Sequence, residues 1–179
     1  MSLFLATLLP GLFLAVLGGL LVSNQSVVTS SLQALPRSAT ATLFLFGGAA
    51  LWFLWIVWHS SMADNFEHPV LLTVAFAVVA GLAFKCVPDF LAVRGLCVLV
   101  LLVGWYLRAA AYMEYDKPLR LLLVIPLYLL IAAALWLGVQ PYRLRDFFSW
   151  LFLRSGRART LGAGLLGYGL LLAGVAFTY

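Results

Sequence analysis

The sequence predicts an all-α membrane protein, a polytopic bundle of about six transmembrane helices with one short interfacial amphipathic helix. Of its 179 residues, 65% are hydrophobic and 9% are charged, whereas a soluble domain has about 45–50% apolar and about 25% charged residues. The apolar residues also form long continuous runs, without the alternation of a membrane β-strand. This composition excludes a water-soluble globule and a disordered chain.

Six apolar runs mark the expected spans of a single integral membrane domain, residues 1–179. A helix needs about 20 residues to cross a hydrocarbon core of about 30 Å. The expected spans are 3–22, 39–58, 69–84, 90–107, 119–139 and 161–177. The third is the shortest, about 24 Å at 1.5 Å per residue, so we expect it to borrow preceding residues or to lie among other helices. Segment 142–154 places apolar residues at helical spacing, which is typical of an interfacial helix.

The basic residues divide unevenly between the two sides of the predicted bundle. The loops after spans one, three and five, with their adjoining span ends, hold eight of the 11 Lys and Arg residues. The positive-inside rule therefore predicts that both termini are extracytoplasmic, in a bacterial inner (plasma) membrane. Five of the eight form a lipid-facing basic patch that we expect to contact anionic lipid: Arg143, Arg145, Arg154, Arg157 and Arg159. Nucleic acid is not an expected partner, because that would require a soluble basic face.

Small residues recur at four-residue spacing on several spans. This spacing allows helices to approach closely in lipid. The predicted packing residues are Gly11, Ala15 and Gly19 on the first span, and Ala163 with Gly167 and Gly169 with Ala173 on the last. Thr73, Ala77 and Gly81 make a similar stripe on the third span. We expect these stripes to pack the bundle internally, with contact to another subunit or a second copy as the alternative.

One polar cluster stands out in the loop between spans two and three. It comprises His59, Asp64, Glu67 and His68, and the predicted topology puts Arg108 on the same side. These residue types can bind metals or transfer protons, but their spacing matches no ligand motif. We therefore expect a solvated loop with no metal and no cofactor. Haem is not favoured either, since both histidines lie near the surface and a buried bis-histidine site would place one deeper.

Two cysteines and two arginines are the remaining side chains that could react or bind a ligand. Cys86 and Cys97 lack the spacing of a zinc or redox motif and are expected to be free, buried thiols. Arg94 and Arg108 are the charges nearest to membrane depth, where a charge is costly and often functional. Arg94 is expected to reach the inner surface and Arg108 the outer headgroups.

The sequence favours a non-enzymatic protein that acts as a small subunit, assembly factor or scaffold in a membrane complex. Short loops, small-residue stripes and few polar residues inside the spans support this hypothesis. One alternative is a small-solute channel or transporter, which would need a polar path across the bundle. The other is a membrane enzyme or redox subunit that uses the outer cluster. No mid-span carboxylate is present, which counts against proton-coupled transport.

Overall fold

A computed structural model of the chain describes residues 2–59 and 69–179, and the regular structure of these residues is entirely helical. The α-helices are α1 Leu3–Ser23, α2 Ser26–Ala34, α3 Ala39–Thr42, α4 Gly48–His59, α5 Pro69–Cys86, α6 Leu91–Ala111, α7 Leu121–Val139, α8 Tyr142–Phe152 and α9 Ser155–Ala176. A π-helical turn, Leu43–Gly47, joins α3 to α4, so that Ala39–His59 is continuous. The predicted all-α bundle is confirmed.

The apolar helices mark the chain as a membrane protein. Five helical segments are long and apolar enough to cross a membrane: Leu3–Ser23, Ala39–His59, Leu91–Ala111, Pro118–Val139 and Ser155–Ala176. A sixth apolar helix, Val70–Cys86, is shorter. These six helices correspond in order to the six predicted spans.

The antiparallel pair of α1 and α9 makes the most extensive helix contact in the described chain. Gly11 lies against the backbone of Gly169, and Gly18 lies against the backbone of Gly162 and Leu166. A Cβ atom added to Gly18 would be 2.4 Å from the Leu166 nitrogen and 2.6 Å from the Gly162 oxygen. Only glycine fits between backbones this close, which is the packing typical of membrane helices.

The antiparallel pairing puts both chain termini at one end of the bundle, called here the terminal end. The rings of Phe4 and Phe177 meet edge to face there, 5.5 Å apart. Leu3 and Ala6 also share a buried cluster with the end of α6 and the start of α7, and Tyr179 packs against that cluster. The end of α6 and the start of α7 therefore lie beside both chain termini.

The opposite end, called here the α8 end, gathers the connections that follow the first, third and fifth spans. The guanidinium groups of Arg37 and Arg145 lie 5.5 and 5.9 Å from the centre of the Phe90 ring. Phe90 precedes α6 and has a positive φ of 56°. These contacts bring the connections after the first, third and fifth apolar helices together at one end of the bundle.

One added helix and one helix start are the main differences from the sequence expectation. Residues 26–34, which fall between the first two predicted spans, form the helix α2. Its serine and threonine side chains bond back to their own helix, for example Thr29 to the Gln25 oxygen and Ser30 to the Val27 oxygen, so they compete little with its backbone. The last helix begins at Ser155 rather than 161, because no Pro interrupts residues 155–160 and arginine is a good helix former.

Candidate functional site

Helix α5 lies at the edge of the bundle and packs chiefly against α4. The rings of Phe53 on α4 and Phe76 on α5 meet edge to face at 5.1 Å, and Phe46 of the π-helical turn meets Phe84 on α5 at 5.2 Å. No side chain of residues 70–86 is buried. An apolar helix that is held by one neighbour leaves most of its surface open to lipid or to another protein.

A groove of about 300 Å³ separates α5 from α6, with α4 as its floor. Alanines line much of it, including Ala49, Ala80 and Ala83. Bulkier apolar side chains complete the walls, and Arg94 is the one charged residue among the groove's lining residues. The groove can therefore accept an apolar surface at close range, with a single positive charge near its α8 end.

Arg94 is half-buried on the first turn of α6. Its backbone nitrogen donates to the Phe90 oxygen, 3.2 Å away. Within residues 2–59 and 69–179, its guanidinium has neither a hydrogen-bond acceptor nor an ion-pair partner. A charge at this depth is costly unless it is paired or reaches water. Arg94 thus offers an open site for an anionic group.

The π-helical turn lies beside this arginine. Its Phe46 packs so closely on Gly95 that an added Cβ would be 2.4 Å from the Phe46 nitrogen and Cα. Turns of this kind are rare inside α-helices and are frequent at functional sites. The groove, Arg94 and the π-helical turn together form the candidate site.

The predicted basic patch is spread over α8 and the first turns of α9. Arg143 lies 5.4 Å from the Trp136 ring centre and donates to the Gln140 side chain. Arg145 forms an ion pair of 2.8 Å with Asp146. Arg157 lies 4.5 Å from the Trp150 ring centre and donates to the Trp150 oxygen.

Arg154 is the residue before α9 and has an extended backbone conformation, and Arg159 lies on the second turn of that helix. All five residues of the predicted patch are therefore at the α8 end. Their contact with anionic lipid stays a prediction, as does the interfacial position of α8.

The predicted outer polar cluster falls mostly outside the described residues, which include neither Asp64, Glu67 nor His68. His59 ends α4, and its Nδ1 lies 2.8 Å from the Trp55 oxygen. Arg108 places its guanidinium 4.9 Å from the Trp105 ring centre. In the part of the chain that the structure describes, no group of three His, Cys, Asp or Glu residues could hold a metal.

The predicted packing residues are divided between two faces of their helices. Gly11, Ala15, Gly169 and Ala173 lie at the contact between α1 and α9. Gly19 is beside this contact, where an added Cβ would be 3.8 Å from the Leu166 side chain. Ala163 and Gly167 are exposed on the opposite side of α9.

The structure adds Gly18 and Gly162 to this contact, which four-residue spacing did not indicate. Gly11 and Gly18 are seven residues apart, as are Gly162 and Gly169. Seven residues make about two helical turns, so this matching interval on the first and last spans was the signal available in the sequence.

Several polar groups at the terminal end make structural contacts, although the buried hydroxyl of Tyr179 has no hydrogen-bond partner among the described residues. Arg120 donates to the Ala111 oxygen at 2.8 Å, and Lys117 forms an ion pair of 2.9 Å with Glu114. Tyr168 donates to the Leu122 oxygen and so links α9 to α7. Burial raises the pKa of Tyr179, and nearby Lys117 partly offsets that shift. The contacts of Arg120 and Tyr168 thus tie α6, α7 and α9 together among the described residues.

Comparison with known proteins gives no relative from which a role could be inferred. No protein-family model matches the chain, nor does any curated protein or solved structure that was compared with it.

Proposed function

We propose that the protein is a non-enzymatic subunit, assembly factor or scaffold of a membrane complex. In this proposal, the groove between α5 and α6 receives a transmembrane helix of another subunit. The supporting observation is the groove itself, which is open, lined in part by alanines and bordered by an arginine that has no side-chain partner among the described residues. Helices associate in lipid through close packing and polar contacts, and this surface offers both.

Arg94 indicates the chemistry of the partner. A guanidinium forms strong bidentate hydrogen bonds with a carboxylate, above all where water is scarce. The partner helix should therefore carry Asp or Glu at the depth of Arg94. That position is about one turn inside the membrane from the α8 end, because Arg94 is on the first turn of α6.

The two alternative functions have less support. A solute channel or transporter needs a polar path, whereas the groove walls are apolar except for Arg94. An enzyme or redox subunit would use the outer cluster, and the one histidine of that cluster in the described chain faces its own helix backbone.

Purification from native membranes after gentle detergent extraction tests the proposal. We expect a second integral membrane protein at fixed stoichiometry with the wild-type chain. Ala83→Leu fills the groove, so partner recovery should fall about tenfold, the effect of about 1.4 kcal/mol. Arg94→Gln should also lower recovery by removing the charge.

Gly81→Leu is the matched control for Ala83→Leu. Gly81 is on the same helix outside the groove, and an added Cβ there would meet no atom within 4 Å. This variant should recover the partner like wild type. Purification of the wild-type chain alone, or equal losses in Gly81→Leu and Ala83→Leu, would contradict the proposal.

We also propose that the chain lies in a bacterial inner membrane with its α8 end in the cytoplasm and both termini outside. Contacts of Arg37 and Arg145 with Phe90 support this orientation, because they join the three connections that together hold eight of the 11 basic residues. An excess of Lys and Arg marks cytoplasmic connections.

A further inference from the structure

We infer that a second groove, between α8 and α9, binds one molecule of an anionic phospholipid. This inference does not depend on the proposed partner helix, since the two grooves share no residue. It also goes beyond a diffuse attraction between a basic surface and lipid, because it assigns a bound lipid to one place on the chain.

The walls of the α8–α9 groove fit an acyl chain. The groove has a volume of about 750 Å³, which is within the range of about 300–1,000 Å³ that is usual for ligand sites. Phe147, Trp150 and Leu151 line the α8 side, and Leu161 and Leu165 line the α9 side.

The glycines of the groove keep it open. Gly156 and Gly164 both line it, and a Cβ added to either would meet no atom within 4 Å. A side chain placed at Gly164 would therefore occupy the groove without displacing the backbone of either helix.

Two arginines border the end of the groove where α9 begins. Arg157 is held in place by a hydrogen bond of 3.0 Å to the Trp150 oxygen and by contact with the Trp150 ring. Arg154 is the residue before α9. Neither forms an ion pair with a described residue, and the Asp146 carboxylate of α8 is bound by Arg145. The pair is thus available to an anion.

The charges lie at one end of an apolar groove, so the ligand that fits it is an amphiphile. From Arg157 to Leu165 the groove follows α9 for eight residues, about 12 Å of helix. Guanidinium groups bind phosphate oxygens strongly. The apolar walls that extend along α9 from these arginines fit a hydrocarbon chain. A free phosphate would leave these walls uncovered, and a zwitterionic lipid would bring its own cation close to the arginines. An anionic phospholipid satisfies both parts of the groove.

Native mass spectrometry of the full chain tests this inference. The protein is equilibrated with mixed phosphatidylglycerol and phosphatidylcholine vesicles, extracted and sprayed. We expect wild type to retain one phosphatidylglycerol per chain in preference to phosphatidylcholine. Gly164→Leu should weaken this retention about tenfold or more, and Arg154→Gln with Arg157→Gln should abolish the preference for phosphatidylglycerol.

Gly167→Leu serves as the control, because Gly167 is on α9, is equally free of close neighbours and does not line the groove. It should retain the lipid like wild type. Equal retention of the two lipids by wild type would overturn the inference, as would equal retention by Gly164→Leu and Gly167→Leu. Displacement of the lipid by inorganic phosphate alone would identify a simple anion site and would also overturn it.

Discussion

Replacing Gly18 by alanine should lower the free energy of unfolding by about 2–3 kcal/mol, the effect of overfilling a packed interface. The new Cβ would be 2.4 Å from the Leu166 nitrogen and 2.6 Å from the Gly162 oxygen. Both atoms belong to the backbone of α9, so a side-chain rotation cannot relieve the clash. The two helices would have to separate, and packing would weaken along the most extensive helix contact of the described chain.

Gly19→Ala is the control for this substitution. It makes the same chemical change one residue further along, where the nearest atom to the added Cβ is 3.8 Å away. Alanine is the better helix former by about 1 kcal/mol, so Gly19→Ala should be as stable as wild type or more stable. Thermal unfolding in detergent and steric trapping in bicelles would measure both variants. Equal stability of the two variants would show that α1 and α9 do not pack as described.

We expect a loss of similar size, about 2–3 kcal/mol, from Gly95→Ala. Here an added Cβ would be 2.4 Å from both the nitrogen and the Cα of Phe46. The π-helical turn would have to move away from α6, and α4 and α5 would move with it. The variant should therefore lose recovery of the partner subunit as well as stability.

Gly48→Ala distinguishes this packing effect from a general effect on the second span. Gly48 directly follows the π-helical turn, and an added Cβ there would meet no atom within 4 Å. It should retain wild-type stability and partner recovery. If Gly95→Ala unfolds at the same temperature as Gly48→Ala, the close approach of Phe46 to Gly95 is not a feature of the folded protein.

Hydropathy was sufficient to predict most of the fold, because a helix must place about 20 apolar residues in the hydrocarbon core. The predicted second span, for instance, was 39–58 and the helix is Ala39–His59. Hydropathy could not reveal the π-helical turn, because a shift in hydrogen bonding leaves composition unchanged. Hydropathy also did not indicate α2, because that helix is polar. It placed the start of α9 at the first residue of the apolar run, whereas the helix begins earlier, at Ser155.

The candidate site was only partly accessible to sequence reasoning. Arg94 could be identified as a charge near membrane depth, since its neighbours in sequence are apolar. The groove beside it could not be predicted, because it depends on how far α5 stands from α6 in space. The α8–α9 groove likewise requires the turn at Arg154, which brings Trp150 beside Arg157.

The proposed orientation requires six membrane crossings that hold the α8 end in the cytoplasm. Cysteine labelling of intact cells with a membrane-impermeant maleimide tests this requirement directly. The background should carry Cys86→Ser, since Cys86 is exposed, whereas Cys97 is buried. Gly156→Cys, at an open position near the start of α9, should be labelled only after the cells are permeabilised.

Ser2→Cys, just before α1, should be labelled in intact cells, as should a cysteine that replaces Asp64 in the second connection. That pattern is the expected result. Labelling of Gly156→Cys in intact cells, together with protection of Ser2→Cys, would contradict the proposed orientation. Labelling of Ser2→Cys and the second connection from opposite sides would contradict the six crossings themselves.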